Sequence, residues 1–308
     1  MLPPKLHRTH LTAVSQALLV TFLWSTSWVM IKIGLKTNLP PVTFAGLRYT
    51  LAALCLLLLA TLNPAHRQTI QKLSAKGWWE LIALGIIFYT LTQGAQFISL
   101  SFLPSATLSL LLNFSPVIIA LYSMISHQSS TSLTQWIGIS ITILGALIYF
   151  LPLTIEEGQI PGLIAGLIAL FANAASSIFG RYINAQDKLN PIVVTSISMG
   201  IGGVLMLIIG MVTQGVGKLQ LTQWAIIGWL AIVNTALAFT LWNASLKTLT
   251  AVESSIINGT MLPQIAILAW VFLDEPLQGK EIFGLVIVLI GVLIVQLWRY
   301  LPGSNTQP

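Results

Sequence analysis

Ten apolar runs follow one another along the chain, separated by short segments rich in Pro, Gly, Asn and charged residues. A helix needs about 20 apolar residues to cross a hydrocarbon core roughly 30 Å thick. The chain is 56% hydrophobic and 7% charged, whereas soluble proteins are about a quarter charged. This pattern predicts an all-α polytopic membrane protein with ten transmembrane helices. The predicted helices are 12–35, 41–62, 78–98, 104–126, 133–151, 160–182, 190–212, 222–245, 250–273 and 281–299.

The distribution of positive charge predicts the orientation of these helices. With the N-terminus in the cytoplasm, nine of the 14 Lys and Arg residues fall in cytoplasmic segments, four fall outside, and Arg48 lies within a run. Short cytoplasmic loops of membrane proteins carry an excess of Lys and Arg. We therefore expect both termini to be cytoplasmic, and we place the protein in the inner (plasma) membrane of a bacterium.

The second half of the chain repeats features of the first at a spacing of about 147 residues. Pro116 corresponds to Pro263, and two glycines seven residues apart follow each proline, Gly138 and Gly145 in one half and Gly284 and Gly291 in the other. We interpret 1–152 and 160–299 as two five-helix repeats. Because five spans separate their starts, the repeats are inverted in the membrane, which is a common basis for alternating access around a midplane site.

Polar residues within the runs predict where a solute is bound, because hydrocarbon cannot satisfy their hydrogen bonds. Tyr89, Gln93 and Gln96 share one face of the third helix, and moving Gln93 and Gln96 by 147 residues reaches Thr240 and Asn243. The alternative is that such residues only hydrogen-bond between helices. The predicted substrate-binding residues are Trp24, Trp28, Arg48, Tyr89, Gln93, Gln96, Asn113, Asn173, Thr240, Asn243 and Asn258, with Pro116 and Pro263 as kinks.

Several charged residues allow a functional and a structural interpretation. Arg48 either balances an anionic group of a substrate or is satisfied by backbone carbonyls within the bundle. Lys32 and Lys36 are interpreted as interfacial anchors of the first helix. Glu253 fits a capping box with Thr250 at the start of the ninth helix. The glycines at 138, 145, 284 and 291 are interpreted as packing positions.

Other function classes lack a recognisable motif. No Asp or Glu lies near the middle of a run, and the four His residues fall in the N-terminal tail or in loops, so neither a carboxylate proton relay nor a metal site is predicted. We expect no enzymatic activity, no cofactor and no nucleic-acid partner. The expected partners are a small-molecule substrate and the lipid bilayer, and the chain is expected to be a monomer or a homodimer.

Five motifs lie along the chain in this order: WSTSW (24–28) and IKIG (31–34), FAGLRYTLAAL (44–54), PQIAILAWVFLDEPL (263–277) and GLVIVLIGVL (284–293). They resemble the EamA family of the drug/metabolite transporter superfamily. The resemblance covers nearly the whole chain. It implies two inverted five-helix repeats, a central cavity and transport of small organic solutes, often export of amino acids or related metabolites.

Within that family pattern, Pro116, Pro263, Arg48 and the acidic turn Asp274-Glu275-Pro276 match recurrent positions. The first half departs from the pattern, because His127-Gln128-Ser129 stands where an acidic turn is usual. A symmetric role for the acidic residue in both halves is therefore not supported by the sequence.

The pattern of residues predicts a secondary transporter that moves amino acids or related amphipathic metabolites through alternating access, and the resemblance to the EamA family implies that the direction is export. The alternative is a passive channel or facilitator on the same scaffold. A permeation path open to both sides in one conformation would favour the channel. A membrane-embedded enzyme would need a nucleophile and base, or a metal cluster, near a membrane face, and the sequence contains no such motif.

Overall fold

The structure is a computed structural model that describes residues 4–126, 133–151, 157–184, 189–217, 219–249 and 251–297. Within these residues the secondary structure is helical, with no strand. The α-helices are α1 (Pro4–Lys36), α2 (Pro41–Leu62), α3 (Pro64–Gln71), α4 (Ala75–Leu84), α5 (Gly94–Phe102), α6 (Ser105–Leu112), α7 (Ser115–Ile125), α8 (Leu133–Phe150), α9 (Ile160–Asn184), α10 (Pro191–Gln214), α11 (Leu221–Ala231), α12 (Ala238–Ser245), α13 (Ala251–Gly259), α14 (Met261–Leu273) and α15 (Gly279–Leu297). Two π-helical segments, Gly85–Gln93 and Ile232–Leu237, and a 3-10 turn, Glu157–Gln159, complete the set.

Nine helical stretches in the described part of the chain are long and apolar enough to cross a membrane. Some of them join several elements: α4, the first π-helical segment and α5 form one stretch, Ala75–Phe102. The tenth predicted run corresponds to α15, whose 19 residues end at Leu297. The structure thus confirms the predicted all-α membrane class, while the number of spans and the inverted orientation stay predictions.

The helices group into two compact units. The first unit comprises Met1–Val29, Pro104–Ile160 and Ala244–Pro308, and the second comprises Met30–Leu103 and Pro161–Asn243. Each unit thus takes helices from both halves of the chain. This grouping by contacts does not test the division of the sequence into repeats at 1–152 and 160–299, which stays a prediction.

The first unit is built around the contact between α8 and α15. A Cβ added to Gly145 would lie 2.6 Å from the backbone nitrogen of Val288 and 2.9 Å from the carbonyl oxygen of Gly284. Gly138 and Gly291 approach each other in the same way. Small residues let two helices approach to backbone contact, which is a main source of association energy in lipid. The packing role predicted for these glycines is confirmed.

The second unit is built in the same manner around α2 and α10. A Cβ on Gly210 would lie 2.7 Å from the Cα of Thr43, and one on Gly203 would lie 2.9 Å from the backbone nitrogen of Thr50. At the end of this helix pair, Gln214 Oε1 accepts a hydrogen bond from the backbone of Val42 at 2.9 Å. The glycines therefore fix the register of α2 against α10.

The two prolines lie just after breaks rather than at kinks inside continuous helices. Pro116 is the second residue of α7, which begins after a break at residues 113–114, and Pro263 is the third residue of α14, which begins after Thr260. The first turn of a helix has no intrahelical acceptor for its N–H groups, so a proline there removes no hydrogen bond. The structure thus shows a break upstream of each proline in place of a kink inside a continuous helix, and the role of the two prolines as hinges stays a prediction.

The turn after α14 stabilises the ends of two other helices in the first unit. Asp274 ends α14 in the left-handed conformation at φ +55°. Glu275 Oε2 accepts a hydrogen bond from the backbone nitrogen of Ser105, the first residue of α6, at 2.7 Å. Lys280 Nζ donates to the carbonyl oxygen of Leu151, just after α8, at 2.6 Å. A carboxylate at a helix N-terminus and an ammonium at a C-terminus both complement the helix dipole.

We expect Gly145→Ala to lower the free energy of unfolding by about 1–3 kcal/mol, the usual cost of overpacking a tight contact. In a helix interior alanine is normally more favourable than glycine by about 1 kcal/mol. The expected loss of stability is therefore opposite in sign to the change that helix propensity alone would give. Gly228→Ala is the matched control, since nothing lies within 4 Å of its added Cβ. Thermal unfolding of the purified protein in detergent measures both. Equal stability of the two variants would contradict the backbone contact between α8 and α15.

Candidate functional site

Two π-helical segments interrupt the helices of the second unit, and their first residues stand in equivalent positions of the two sequence halves. Gly85 begins one segment and Ile232 the other, the same spacing of 147 residues that relates the two prolines. In each segment a threonine satisfies a carbonyl five residues back: Thr92 Oγ1 donates to Ile87 at 2.9 Å, and Thr235 Oγ1 donates to Leu230 at 2.8 Å. Short π-helical segments occur frequently at functional sites.

Arg48 lies in α2 and is directed at the second π-helical segment. Its Nε donates to Thr235 Oγ1 at 3.0 Å, and only 5% of the residue is exposed. Its guanidinium carbon lies 5.1 Å from the ring centroid of Tyr49 and 6.0 Å from that of Phe97. A cation over aromatic faces is stabilised by the ring quadrupole, most strongly where water is excluded. These contacts place the Arg48 guanidinium against one hydrogen-bond acceptor and two aromatic rings inside the protein.

Tyr49, the next residue of α2, contacts the first π-helical segment. Its hydroxyl donates to Gln93 Oε1 at 2.7 Å, and its ring centroid lies 5.5 Å from that of Tyr89. Two consecutive residues of one helix thus each bind a different π-helical segment. We name Arg48, Tyr49, Tyr89, Gln93, Phe97 and Thr235 the Arg48 cluster.

Three of the predicted site residues, Arg48, Tyr89 and Gln93, belong to this cluster. Gln96 is buried, and Asn173, Thr240 and Asn243 are half-buried in the same unit. Thr240 Oγ1 donates to the carbonyl of Ala236 in its own helix at 2.8 Å. In the third and eighth runs Gln96 is thus buried and Thr240 and Asn243 are half-buried, whereas Leu91 and Leu237 of the same runs are exposed.

The remaining predicted residues belong to the first unit. Trp28 is buried and Trp24 is half-buried, whereas Asn258 is exposed. Asn113 Nδ2 donates to the carbonyl oxygen of Ser109 at 2.8 Å, beside the break before α7. Asn258 is the penultimate residue of α13, which ends at Gly259, and its role in binding stays a prediction.

A second polar cluster occupies the break between α13 and α14 in the first unit. Ser25 Oγ donates to Gln264 Oε1 at 3.0 Å, and Gln264 Nε2 donates to Thr260 Oγ1 at 3.0 Å. Thr260 in turn donates to the carbonyl of Ile257 at 2.6 Å. Gln264 lies in the family-like motif after Pro263, but its role was not predicted. Both units therefore place side-chain hydrogen bonds where the α-helical pattern is interrupted.

The sequence reading also missed Tyr49 and Thr235. The sequence feature that could have identified Tyr49 as a site residue is its polar hydroxyl, directly next to Arg48 in the chain. Thr235 was not predicted because a step of four residues back from Thr240, as in an α-helix, leads to Ala236. The wider π-helical turn instead brings Thr235 toward Arg48.

Lys32 has a role different from the one predicted, and Glu253 has a partner that was not predicted. Lys32 Nζ donates to the carbonyl oxygens of Leu100, at 2.8 Å, and Leu103, which corrects its interpretation as an interfacial anchor. It thereby neutralises the C-terminal end of α5. Glu253 Oε1 lies 2.7 Å from His10 Nε2, so it pairs with α1. The predicted capping partner, Thr250, lies outside the described residues, as does His127-Gln128-Ser129.

Among the described residues, no group of three His, Cys, Asp or Glu side chains comes close enough to hold a metal ion. The chemistry present in the Arg48 cluster is that of one cation, neutral hydrogen-bonding groups and aromatic faces. Such groups bind polar and aromatic parts of small organic molecules.

Comparison with known proteins gives relatives over nearly the full chain. A transporter of Bacillus subtilis (strain 168), the uncharacterized YvbV, is 26% identical over 290 residues, covering 91% of this chain and 90% of the relative. A protein of Salmonella typhimurium named a probable amino-acid metabolite efflux pump is 24% identical over 290 residues, covering 90% and 92%. One solved crystal structure has the same fold, with a TM-score of 0.64, 15% identity and coverage of 92% of this chain and 99% of that chain.

The family comparison agrees with the motifs. The model of the EamA-like transporter family matches twice, over residues 11–151 and 160–297. These two matches cover most of the chain and correspond to its two sequence halves. The chain therefore belongs to the EamA-like transporter family of integral membrane proteins.

Proposed function

We propose that this chain is a secondary transporter that exports amino acids or related amphipathic metabolites across the bacterial inner membrane by alternating access. The observation that carries the proposal is the contact of Arg48 and Tyr49 with both π-helical segments. Membership of a transporter family and the name of the Salmonella typhimurium relative support the same function. Neither identifies the substrate of this chain.

The π-helical segments supply a physical basis for a conformational change. A π-helical turn holds an extra residue and its hydrogen bonds are less regular than those of an α-helix, so it is a point where a helix can bend or rewind. Because Arg48 and Tyr49 are adjacent on α2, a rotation of α2 would affect both segments at once. In this proposal, the Arg48 cluster couples the third and eighth runs during transport.

The composition of the cluster limits the substrate class. Gln93 offers a neutral amide, Tyr89 offers a ring, and Arg48 is the single cation of the cluster. A sugar phosphate or nucleotide would require several cations to replace its hydration, whereas a zwitterion with an apolar side chain requires few. Arg48 is assigned a positioning role, because its Nε is already bound to Thr235 and its guanidinium faces two rings.

Reconstitution into liposomes tests the function. We expect saturable uptake of at least one labelled amino acid or amphipathic amine from a panel that also contains sugar phosphates, assayed with and without a pH gradient. Alternating access predicts that substrate on the opposite side accelerates exchange, because the loaded carrier returns faster than the empty one. Flux that neither saturates nor responds to substrate on the opposite side would indicate a channel, and no flux of any solute would contradict transport.

Gln93→Ala is expected to reduce transport at least tenfold, since it removes both the amide proposed to face the substrate and the acceptor of the Tyr49 hydroxyl, each hydrogen bond contributing about 1 kcal/mol. Initial rates in proteoliposomes, normalised to the amount of folded protein, measure the effect. Gln71→Ala, at an exposed position of α3, is the control. Normal transport by Gln93→Ala would rule out this part of the proposed pathway.

Thr235→Val is expected to lower the free energy of unfolding by about 1.5–3 kcal/mol, because a buried charged donor loses its acceptor, and to slow transport. Thr213→Val is a close control, since its hydroxyl also donates to a carbonyl of its own helix, at 2.7 Å, but on an exposed face. Unfolding in detergent and transport rates are measured for both. If the two variants behave alike, the bond from Arg48 has no role beyond that of an ordinary helix threonine.

A further inference from the structure

A cationic cavity lies at one end of the second unit, where α3 meets α4. It has a volume of about 360 Å³, and the side chains lining it include Thr69, Lys72, Ser74, Lys76 and Glu80. Lys76 Nζ lies 3.8 Å from Glu80 Oε1, so one of the two ammonium groups is partly balanced. Among the residues that the structure describes, no acidic group forms an ion pair with Lys72. The cavity thus has a positive charge and hydroxyl groups suited to an anion.

An apolar groove lies along α2 and α10 in the same unit. Its volume is about 550 Å³, and its lining includes Ala53, Leu57, Gly200 and Val204. The groove and the cavity share no lining residue, but consecutive residues of α3 and α4 line them: Thr69 lines the cavity and Ile70 the groove, and Gly77 lines the cavity and Trp78 the groove.

Both helices that form the groove are long and apolar enough to cross a membrane, α2 at Pro41–Leu62 and α10 at Pro191–Gln214. Exposed apolar side chains such as Leu54 and Ile208 line its open side, so in a membrane this side would contact hydrocarbon. Trp78, 39% exposed, lines the groove directly after Gly77 of the cavity, as expected of an aromatic residue at the level of lipid headgroups. A cationic cavity and a neighbouring apolar groove suit the headgroup and one acyl chain of an anionic phospholipid.

We propose that the α3–α4 cavity and the neighbouring groove form a binding site for a single anionic glycerophospholipid. The phosphate and acidic headgroup bind Lys72 and Lys76, and one acyl chain lies in the groove against Gly200. This end of α2 is also the end that the positive-charge distribution predicts to be cytoplasmic, and basic groups there attract anionic lipids. The proposal is independent of the transported substrate.

A second groove in the same unit provides a contrast. It has a volume of about 570 Å³, is lined by residues such as Ile87, Leu91 and Ala175, and has no charged residue among its lining side chains. Lipid chains that contact this groove should show no headgroup preference. The proposed site is therefore distinguished by the combination of groove and cationic cavity, and Ala175 offers a control position.

Native mass spectrometry of the full chain in detergent, titrated with phosphatidylglycerol or phosphatidylcholine, tests the site. We expect one tightly bound phosphatidylglycerol, and we expect Lys72→Gln/Lys76→Gln to reduce the preference for it over phosphatidylcholine roughly tenfold to thirtyfold, at about fivefold per lysine. Lys36→Gln/Lys247→Gln removes the same charge from exposed positions elsewhere and should keep the preference. An unchanged preference in Lys72→Gln/Lys76→Gln would overturn the proposal.

Filling the groove tests the acyl chain separately. A Cβ on Gly200 lies at ordinary contact distance, 3.6 Å from the Cβ of Ala53, so the backbone accommodates a side chain there. Gly200→Leu should abolish the tight phosphatidylglycerol complex, Gly200→Ala should weaken it, and Ala175→Leu in the second groove should leave it unchanged. Retention of the complex in Gly200→Leu would overturn the proposal. Displacement of the lipid by inorganic phosphate alone would also overturn it, since the site would then recognise a free anion.

Discussion

The structure depends on the requirement that every polar group within hydrocarbon find a partner inside the protein. Regular helices meet this requirement for the backbone, but breaks and π-helical segments do not. At each such interruption the chain provides side chains: Thr92 binds a carbonyl of the first π-helical segment, Thr235 binds a carbonyl just before the second, and Asn113 and Thr260 bind carbonyls near the helix breaks. Polar residues in the spans therefore mark irregular backbone.

The same requirement explains the charged residues near the helix ends. Glu275 binds the N-terminal backbone of α6, while Lys280 and Lys32 bind carbonyls at the ends of α8 and α5. In each case a charge meets the helix end of opposite partial charge. The acidic turn that characterises the second half is thus a structural device of the first unit. The first half has Gln128 in place of an acid, but this leaves the contacts of Glu275 and Lys280 with the helix ends unchanged.

Each unit pairs helices that occupy equivalent positions in the two sequence halves. The first unit pairs α8 with α15 and the second pairs α2 with α10, and glycines bring the two backbones into contact in both. In both units the contact between the halves is therefore a contact of backbone against backbone. The first π-helical segment packs against α10 in the same way, since a Cβ on Gly202 would overlap the carbonyl oxygen of Gly85 and one on Gly85 would lie 2.5 Å from that of Ser198.

The sequence was a good guide to periodic features and a poor guide to irregular ones. The apolar runs and the glycine spacing depend on helix length and helix face, so both were predictable. The contact between Arg48 and Thr235 was not predictable, because it requires a π-helical turn that no pattern of residues indicates. The breaks before Pro116 and Pro263 were displaced from their predicted positions, since a proline fits best in the first turn of a new helix. The role of Lys32 depends on a carbonyl about 70 residues away, which local sequence cannot indicate.

The π-helical segments also mark where such a chain can change in length. Each holds an extra residue compared with the α-helix around it, so losing one amino acid there would let the helix close into an ordinary α-helical turn without breaking it. Because that turn covers nearly the same angle with one residue fewer, the residues beyond it would keep their faces, whereas a deletion in a regular α-helix rotates every later residue by about 100°. A single-residue deletion between Gly85 and Gln93 would thus leave Gln96 on its present face. Single-residue insertions and deletions at these two places can therefore be absorbed without redirecting the rest of the helix.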